Sequence, residues 1–288
     1  TRRDLRPPAQ VQGSITPFDA RLHEVRPHPG QQHVAANFRS LLEKSEILES
    51  HRDCGKVQDP YSLRCVPQVH GASRDALNYA RTVVETEINS VTDNPLVFEN
   101  GDVLSGGNFH GQPVAFALDF AAMALAELAS ISERRTYLLL EGHDGLPALL
   151  MRDTGINSGF MIPQYTAAAL VSENKVLCHP ASVDSIPTCV GQEDHVSMGS
   201  ISATKLFQVF QNVENVLAIE LLTAAQALDY RKPVRPGRGV EAAHNYVRSI
   251  IPHRENDHEY GVDLALVRQF IQTGDLVANV EQTSGELQ

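Results

Sequence analysis

An amide, a phenol and a guanidinium follow one another at three-residue spacing as Gln58, Tyr61 and Arg64. A guanidinium can hold a carboxylate through two parallel hydrogen bonds, and a phenol oxygen can carry a proton. Pro60 removes a backbone donor and disfavours helical geometry in the residue before it, so we expect this segment to differ from plain helix. The three side chains suit an amino-acid substrate. A packing role remains open, with the arginine on a buried carbonyl and the tyrosine hydroxyl satisfied by a neighbour.

Six further motifs follow in chain order, at 89–95, 105–111, 132–135, 158–164, 179–185 and 192–199. Their order and residues closely resemble the histidine-acting branch of the aromatic amino-acid lyase family, enzymes that eliminate ammonia from amino acids. The resemblance runs from about Thr16 to about Tyr230, and the last fifty or so residues match only loosely. Long motifs in a shared order are far more specific than a lone short pattern.

The resemblance implies roles for five residues. Arg64 would grip the substrate carboxylate, and lysine would replace it poorly because the fork geometry matters. Tyr61 would lie near an electrophile, in proton transfer or in holding its ring, with Gln58 as a hydrogen-bonding neighbour. Phe109 would pack against the prosthetic ring. Glu193 would meet the imidazole or the amine of the substrate, and a partly desolvated carboxylate suits acid–base work.

Several of these motif residues also have a purely structural interpretation. Phe109 could be ordinary packing in a glycine-rich loop. Glu193 or Asp194 could cap the helix that follows, because a carboxylate is favoured near a helix N-terminus. If Asp194 is the cap, Glu193 stays available for substrate. We expect His110 and His195 to serve packing or supporting hydrogen bonds.

The motif at 192–195, Gln-Glu-Asp-His, bears on the substrate. The same four residues occur in the family branch that acts on histidine, whereas the phenylalanine and tyrosine branches tend to have Asn-Gln-Asp at this position. A carboxylate facing an imidazole N–H makes a charge-assisted hydrogen bond. A phenyl ring has no donor, so the buried charge would be left unpaired. The motif therefore favours histidine.

Elimination of ammonia needs an electrophile, because the β-proton is weakly acidic and the amine is a poor leaving group. The family uses methylidene-imidazolone, formed from its own Ala-Ser-Gly. Each of the three Ala-Ser pairs in this chain is followed by another residue, namely Arg74, Ile131 or Val183. In the family that tripeptide precedes all the motifs above, so we predict that this chain is the C-terminal portion of a longer enzyme, without the N-terminal prosthetic-group domain. The twelve histidines show no metal-ligand spacing, and no metal site is predicted.

The composition excludes several classes of protein. A formal charge of −11 argues against a nucleic-acid surface. The apolar stretches Val114–Met123 and Val216–Leu228 contain Asp119 and Glu220, so they indicate buried helices rather than membrane spans. The four cysteines show no C-x-x-C pattern, which favours free thiols in a reducing, cytoplasmic compartment.

The spacing of apolar residues predicts a mainly α protein with one short hairpin. Predicted helices cover 32–49, 72–89, 113 to about 140, 165–177, 197–227, 242–251 and 263–273, with strands at 96–98 and 103–104. Residues 14–30, 51–69 and 143–164 are predicted to be irregular. Long helices with motif-bearing loops favour a bundle with its chemistry at the loop ends. The charged run 132–135 is predicted to form an ion pair within its helix or between subunits.

The resemblance implies the same architecture, a bundle of the aspartase/fumarase-like type. It also implies a homotetramer in which each active site takes loops from three subunits. We expect residues 1–231 to form the central bundle and residues 232–288 a helical segment packed on it.

Three alternatives to a histidine lyase stay open. A tyrosine or phenylalanine lyase or an aminomutase is disfavoured by 192–195. A cofactor-free lyase of the fumarase and aspartase type would carry a Gly-Ser-Ser-x-Met-Pro-x-Lys loop, which 158–164 matches only at Met161 and Pro163, with Ile162 between them. The third alternative is a non-catalytic helical scaffold, if no N-terminal half exists.

Overall fold

A computed structural model describes residues 15–50, 58–142 and 145–288. These residues are mainly helical, which confirms the predicted fold class. The helices are α1 (Ala20–Glu24), α2 (Pro29–Leu41), α3 (Glu46–Glu49), α4 (Tyr61–Arg64), α5 (Val66–Ile88), α6 (Gln112–Leu140), α7 (Met161–Leu177), α8 (Gly199–Asp229), α9 (Arg238–Arg248), α10 (Tyr260–Thr273) and α11 (Asp275–Ser284). Strands β1 (Leu96–Val97) and β2 (Val103–Leu104) pair antiparallel as the predicted hairpin.

Helices α5 to α8 form an up-and-down bundle around α6. Helix α5 runs antiparallel to α6, since the nitrogen atoms of His70 and Arg135 lie 3.3 Å apart and Ala80 packs with Ala117 and Ala121. Helix α7 is also antiparallel to α6, because a residue near its start bonds to a residue near the end of α6, Gln164 to Glu133 at 2.9 Å.

Helix α8 runs parallel to α6. A Cβ atom on Gly199, at the start of α8, would lie 3.7 Å from Ala115 near the start of α6. Near the other end, Arg135 of α6 pairs with Glu220 of α8. The connections therefore fall at two opposite ends of the bundle. We call residues 89–111 and 178–198 the Glu193 end, and residues 58–65 and 145–160 the Arg64 end.

Helix α6 forms the centre of this bundle. By length and composition it is apolar enough to cross a membrane, and no other helix in the described part of the chain passes that test. In the structure it packs on α5, α7 and α8 and buries Asp119, Glu133 and Arg135, as a core helix does. Close approach is possible because its buried positions include many small residues, among them Ala115, Ala117, Ala121, Ala122, Ala124 and Ala129.

Two glycines allow α2 to cross α5 in close contact. A Cβ atom on Gly71 would lie 2.4 Å from the backbone nitrogen of Gln31, and one on Gly30 would lie 2.3 Å from the carbonyl oxygen of Gly71. Asp75 of α5 fixes the crossing, because its carboxylate accepts a hydrogen bond of 2.8 Å from the backbone N–H of Gly30.

The C-terminal helices pack on the bundle through apolar and ionic contacts. Val240 and Phe270 belong to the same buried cluster as residues of α6 and α8. Buried carboxylates of α8 bind the C-terminal segment. Glu214 accepts from Arg268 at 3.0 Å, and Asp229 accepts from Arg248 at 2.7 Å.

Several predicted boundaries are wrong. The predicted loop at 14–30 contains a 3-10 helix at Thr16–Phe18 and helix α1, which Asp19 caps by accepting from the backbone N–H of Arg21. The predicted helix at 32–49 is broken between α2 and α3, where Lys44 takes a positive φ of 61°. Helices α5 and α7 begin earlier than predicted, and α11 was not predicted.

The three cysteines that the structure describes form no disulfide, in line with the expectation of free thiols. Cys65, Cys178 and Cys189 are free thiols. Cys54 and the predicted irregular segment at 51–57 lie outside the described residues.

Candidate active site

At the Arg64 end, α4 is a single helical turn that begins directly after Pro60. The Pro60 carbonyl accepts from the backbone N–H groups of Leu63 and Arg64, each at 3.0 Å. The expectation of a non-helical segment is therefore wrong from Tyr61 to Arg64, because proline is tolerated just before or at the start of a helix. Three-residue spacing puts Tyr61 and Arg64 on one face, with the guanidinium carbon 4.7 Å from the ring centroid.

Two buried polar atoms of this turn lack hydrogen-bond partners among the described residues. Arg64 Nε is buried without a hydrogen-bond acceptor there, and so is the hydroxyl of Ser62. Tyr61 is 71% exposed, and Gln58 is exposed beside it. A buried guanidinium N–H without an acceptor is costly, so this turn is suited to receive an acceptor from a ligand or from another part of the protein.

At the Glu193 end, two loops meet through a pair of histidines. The imidazoles of His110 and His195 stack with centroids 5.5 Å apart, and His110 Nε2 lies 3.2 Å from the His195 carbonyl oxygen. The backbone N–H of Gln112 donates to His110 Nδ1 at 3.3 Å, so Nε2 carries the proton and donates to that carbonyl. The pair fixes the loop that presents Phe109, whose ring is 58% exposed.

Glu193 is exposed, and among the described residues a single side chain hydrogen-bonds its carboxylate. Its carboxylate Oε2 accepts a hydrogen bond of 2.5 Å from the hydroxyl of Thr188. It caps no helix, because α8 begins at Gly199 with Met198 as its N-cap and without a side-chain cap. The alternative in which Glu193 or Asp194 caps this helix is therefore wrong, and the Glu193 carboxylate faces solvent.

The loop that carries Glu193 is anchored to α6 by Asp119 and Gln112, two polar residues that lie outside the motifs. Asp119 is buried and accepts from the backbone N–H of Ser182 at 2.8 Å, while Gln112 donates to the Ser182 carbonyl at 2.7 Å. Ser185 accepts from the backbone N–H of Val196 at 2.8 Å. An acidic residue inside the apolar stretch Val114–Met123 was the sequence signal available for Asp119.

The charged run at 132–135 joins helices within one chain. Arg135 pairs with Glu220 of α8. Glu133 pairs with Arg134 of its own helix and accepts a hydrogen bond from Gln164 of α7. The Glu133–Arg134 pair confirms the expected ion pair within the helix, and the Arg135–Glu220 pair between α6 and α8 adds a contact that was not predicted. Across the described residues, no group of three or more His, Cys, Asp or Glu side chains has a metal-binding arrangement.

The site residues predicted from the sequence fall into two groups. Phe109 and Glu193 lie at the start of α6 and α8, whereas Gln58, Tyr61 and Arg64 lie beside the last turns of α6. About twenty residues of α6 separate its start from its last turns, which corresponds to roughly 30 Å along the helix axis at 1.5 Å per residue. One copy of the chain therefore does not bring the five residues together.

Comparison with known proteins identifies the family. A model of the aromatic amino acid lyases matches residues 9–249. This chain belongs to the aromatic amino acid lyase family. A histidine ammonia-lyase of Sorangium cellulosum is 57% identical over 96% of the chain and 55% of the relative. The chain spans about half the length of the curated relatives it matches.

Solved structures of aromatic amino acid lyases and aminomutases share the fold. The crystal structure of histidine ammonia-lyase from Trypanosoma cruzi matches with a TM-score of 0.85 and 43% identity, over 97% of this chain and 55% of that one. Tyrosine aminomutase from Streptomyces globisporus matches with a TM-score of 0.89 and 36% identity, over 99% of this chain and 59% of that one. Family membership removes the cofactor-free fumarase and aspartase alternative.

Aromatic amino acid lyases use a methylidene-imidazolone group. Phe109 offers an exposed ring at one end of the bundle, and Tyr61 offers an exposed phenol at the other, so contact of both with one such planar group would require more than one copy of the chain. The residues that form the group in the family, Ala-Ser-Gly, do not occur in this chain.

Proposed function

We propose that the protein formed by this chain and the rest of its lyase eliminates ammonia from L-histidine and releases trans-urocanate, the first step of histidine degradation. The observation that carries the proposal is the exposed Glu193 carboxylate, oriented by Thr188 within Gln-Glu-Asp-His. Such a carboxylate can accept a hydrogen bond from the N–H of an imidazole, whereas a phenyl ring has no donor for it. Relatives named histidine ammonia-lyase at 52–57% identity support the same substrate.

The roles of the chain's own residues follow from their chemistry. Arg64 would hold the substrate carboxylate through its guanidinium, whose Nε–H lacks an acceptor among the described residues. Tyr61, which lies against that guanidinium, would move a proton at its phenol oxygen. Gln58 would hydrogen-bond nearby, Phe109 would cover the face of the prosthetic ring, and Glu193 would bind the imidazole or the amine. When bound, methylidene-imidazolone supplies the electrophile that takes up electron density from the substrate.

We also propose that the site is completed by association of several copies, as a homotetramer. The support is geometric, because the two groups of site residues lie roughly 30 Å apart in one chain. Bundle helices also leave large apolar side chains exposed, as protein interfaces require, including Phe116, Ile162, Tyr165, Phe207 and Phe210.

Three further parts of the proposal concern the setting of the site. Chemistry carried by Glu193, Tyr61 and a carbon electrophile requires no metal. Free thiols and net negative charge suit a cytoplasmic enzyme of small-molecule metabolism that binds no nucleic acid. The division into a bundle at 1–231 and a C-terminal segment at 232–288 is supported by the break after α8 and by the ionic contacts of Glu214 and Asp229.

The first experiment is the intact denatured mass of the longest protein made from the gene, together with turnover of L-histidine, L-phenylalanine and L-tyrosine. We expect a species that carries Ala-Ser-Gly with the mass of two waters missing, and release of urocanate from histidine alone. Turnover of tyrosine or phenylalanine instead would favour the sister branch of lyases and aminomutases. Absence of any such species would favour a non-catalytic scaffold.

Glu193→Gln tests the residue that sets the substrate. We expect it to weaken use of histidine more than any residual use of phenylalanine, because only the imidazole donates to the carboxylate. Glu99→Gln, which changes an exposed carboxylate in the hairpin connection, is the matched control and should leave both unchanged. An equal loss with both substrates would remove Glu193 from the recognition of the ring.

A further inference from the structure

The loop that carries Glu193 is closed by Thr188 through backbone and side chain alike. The Thr188 N–H donates to the Glu193 carbonyl at 2.9 Å, and the Thr188 carbonyl accepts from the N–H groups of Gly191 at 3.0 Å and Glu193 at 3.3 Å. The Thr188 hydroxyl adds the 2.5 Å bond to the carboxylate of Glu193. Threonine 188 thus takes part in four hydrogen bonds of one six-residue turn.

The residues enclosed by this turn are strained. Cys189 and Val190 have φ values of 50° and 55°, and Gly191 follows at 88°. The left-handed region is unfavourable for a β-branched residue such as valine, so something outside Val190 must hold it there. Both Cys189 and Val190 are exposed, so burial of their side chains supplies little of that support. Hydrogen bonds therefore close the turn, namely those between Thr188 and Glu193 together with the N–H of Gln192 to the Cys189 carbonyl at 3.1 Å and the N–H of Gly191 to the Thr188 carbonyl.

The Thr188 hydroxyl also limits where the carboxylate can point. Among the described residues no other side chain hydrogen-bonds Glu193, and the carboxylate is otherwise open to solvent. An exposed glutamate has several rotamers, and fixing one of them costs conformational entropy when a ligand must do it. A bond to Oε2 present before the ligand arrives removes part of that cost and leaves Oε1 for the ligand.

We propose that Thr188 is a positioning residue for Glu193, and that it sets the preference for an imidazole-bearing substrate by holding one oxygen of the carboxylate while the other accepts from the ring N–H. This inference rests on the proposed function and deepens it. In this proposal the Thr188 hydroxyl acts through the Glu193 carboxylate and makes no contact of its own with the substrate.

The test compares variants of the longest protein made from the gene. Thr188→Val removes the hydroxyl at nearly constant shape, Thr188→Ser keeps it, and Thr82→Val is the matched control, because the Thr82 hydroxyl bonds only to a carbonyl of its own helix. Three quantities are measured: kcat/KM for histidine and for phenylalanine, binding of L-histidine by calorimetry, and hydrogen exchange of the Gly191 and Glu193 amides.

We expect Thr188→Val to lower kcat/KM for histidine roughly tenfold. This is near the lower limit for loss of a hydrogen bond to a charged group, because Glu193 is exposed. Any turnover of phenylalanine should change little, and Thr188→Ser should stay near wild type. Added to Glu193→Ala, Thr188→Val should have no further effect, because the partner is gone. The two amides should exchange faster in Thr188→Val and not in Thr188→Ser.

The outcomes separate the inference from the proposed function. A wild-type protein that neither binds nor eliminates histidine overturns both. If the wild type eliminates histidine and Thr188→Val matches it in selectivity, binding and exchange, only the inference is overturned. An equal loss with histidine and phenylalanine, or a loss that persists in the Glu193→Ala background, would mean that Thr188 supports the loop without orienting the carboxylate.

Discussion

The ion pair between Arg135 and Glu220 should be the most costly single contact of the bundle to break. Both side chains are buried, with 1% and 0% of their side-chain surface exposed. Arg135 donates to Glu220 at 2.7 Å and 3.0 Å, and the hydroxyl of Ser132 donates at 2.5 Å. Glu220→Gln removes the negative charge, keeps the shape and turns an amide N–H₂ toward a guanidinium that already donates.

The expected loss follows from the burial of the charge that remains. Removing one partner of a buried pair leaves the other charge uncompensated, which costs about 3–5 kcal/mol of unfolding free energy. The double variant Arg135→Met/Glu220→Leu should recover most of it, because an apolar pair of similar volume needs no counter-charge there. The result would place the cost in the unpaired charge rather than in a lost attraction.

Urea unfolding followed by far-UV circular dichroism measures the effect, at one fixed protein concentration because association shifts apparent stability. Glu85→Gln is the matched control, since Arg81 and Glu85 form an exposed ion pair within α5. Loss of that pair should cause no measurable change in the free energy of unfolding. A loss below about 1 kcal/mol for Glu220→Gln, or a double variant as unstable as the single one, would refute the reasoning.

Three further perturbations test other parts of the fold and site. Gly71→Ala should cost about 1–3 kcal/mol, because its Cβ would lie 2.4 Å from the backbone nitrogen of Gln31, whereas Gly107→Ala meets nothing within 4 Å; urea midpoints compare them. Burial would raise the pKa of the Asp229 carboxyl, but hydrogen bonds and neighbouring cations hold that pKa well below its usual range. Asp229→Asn should therefore be destabilising at pH 7, and the difference should fade as pH drops below about 4, checked by unfolding at several pH values. Arg64→Lys should leave assembly intact and strongly lower kcat/KM, because the fork is lost; unchanged turnover would remove Arg64 from carboxylate binding.

The long helices could be predicted because their apolar residues repeat over many turns. Helix α6 was predicted from Pro113 to about Leu140 and spans Gln112–Leu140. Boundaries failed where distant residues decide them. Helix α7 begins at Met161, after a turn in which Asp257 accepts from the backbone N–H groups of Ser158 and Gly159 at 2.8 and 2.7 Å. A contact across about a hundred residues leaves no local pattern to detect.

The residues of the candidate site could be predicted from the sequence, but the residues that position their side chains could not. Glu193 was singled out because its motif is distinctive, and the roles assigned to it and to Arg64 remain predictions. Thr188 carried no signal, since a loop threonine has no periodicity and its bond to Glu193 depends on two left-handed residues that sequence preference disfavours. The structure adds this link because it shows where the backbone turns back.

The geometry of α6 constrains any mechanism that uses both groups of residues. Twenty-nine residues of continuous helix keep Phe109 and Glu193 at one end of the bundle and Arg64 at the other. An amino acid spans only a few ångströms, so a substrate gripped by Arg64 cannot reach Glu193 of the same chain across roughly 30 Å. If one site uses both, Arg64 of one copy must meet Glu193 of another, and mixing Arg64→Ala with Glu193→Ala subunits should restore a fraction of sites. Activity of the mixed assembly that is no higher than that of either variant alone would show that the two groups serve separate sites.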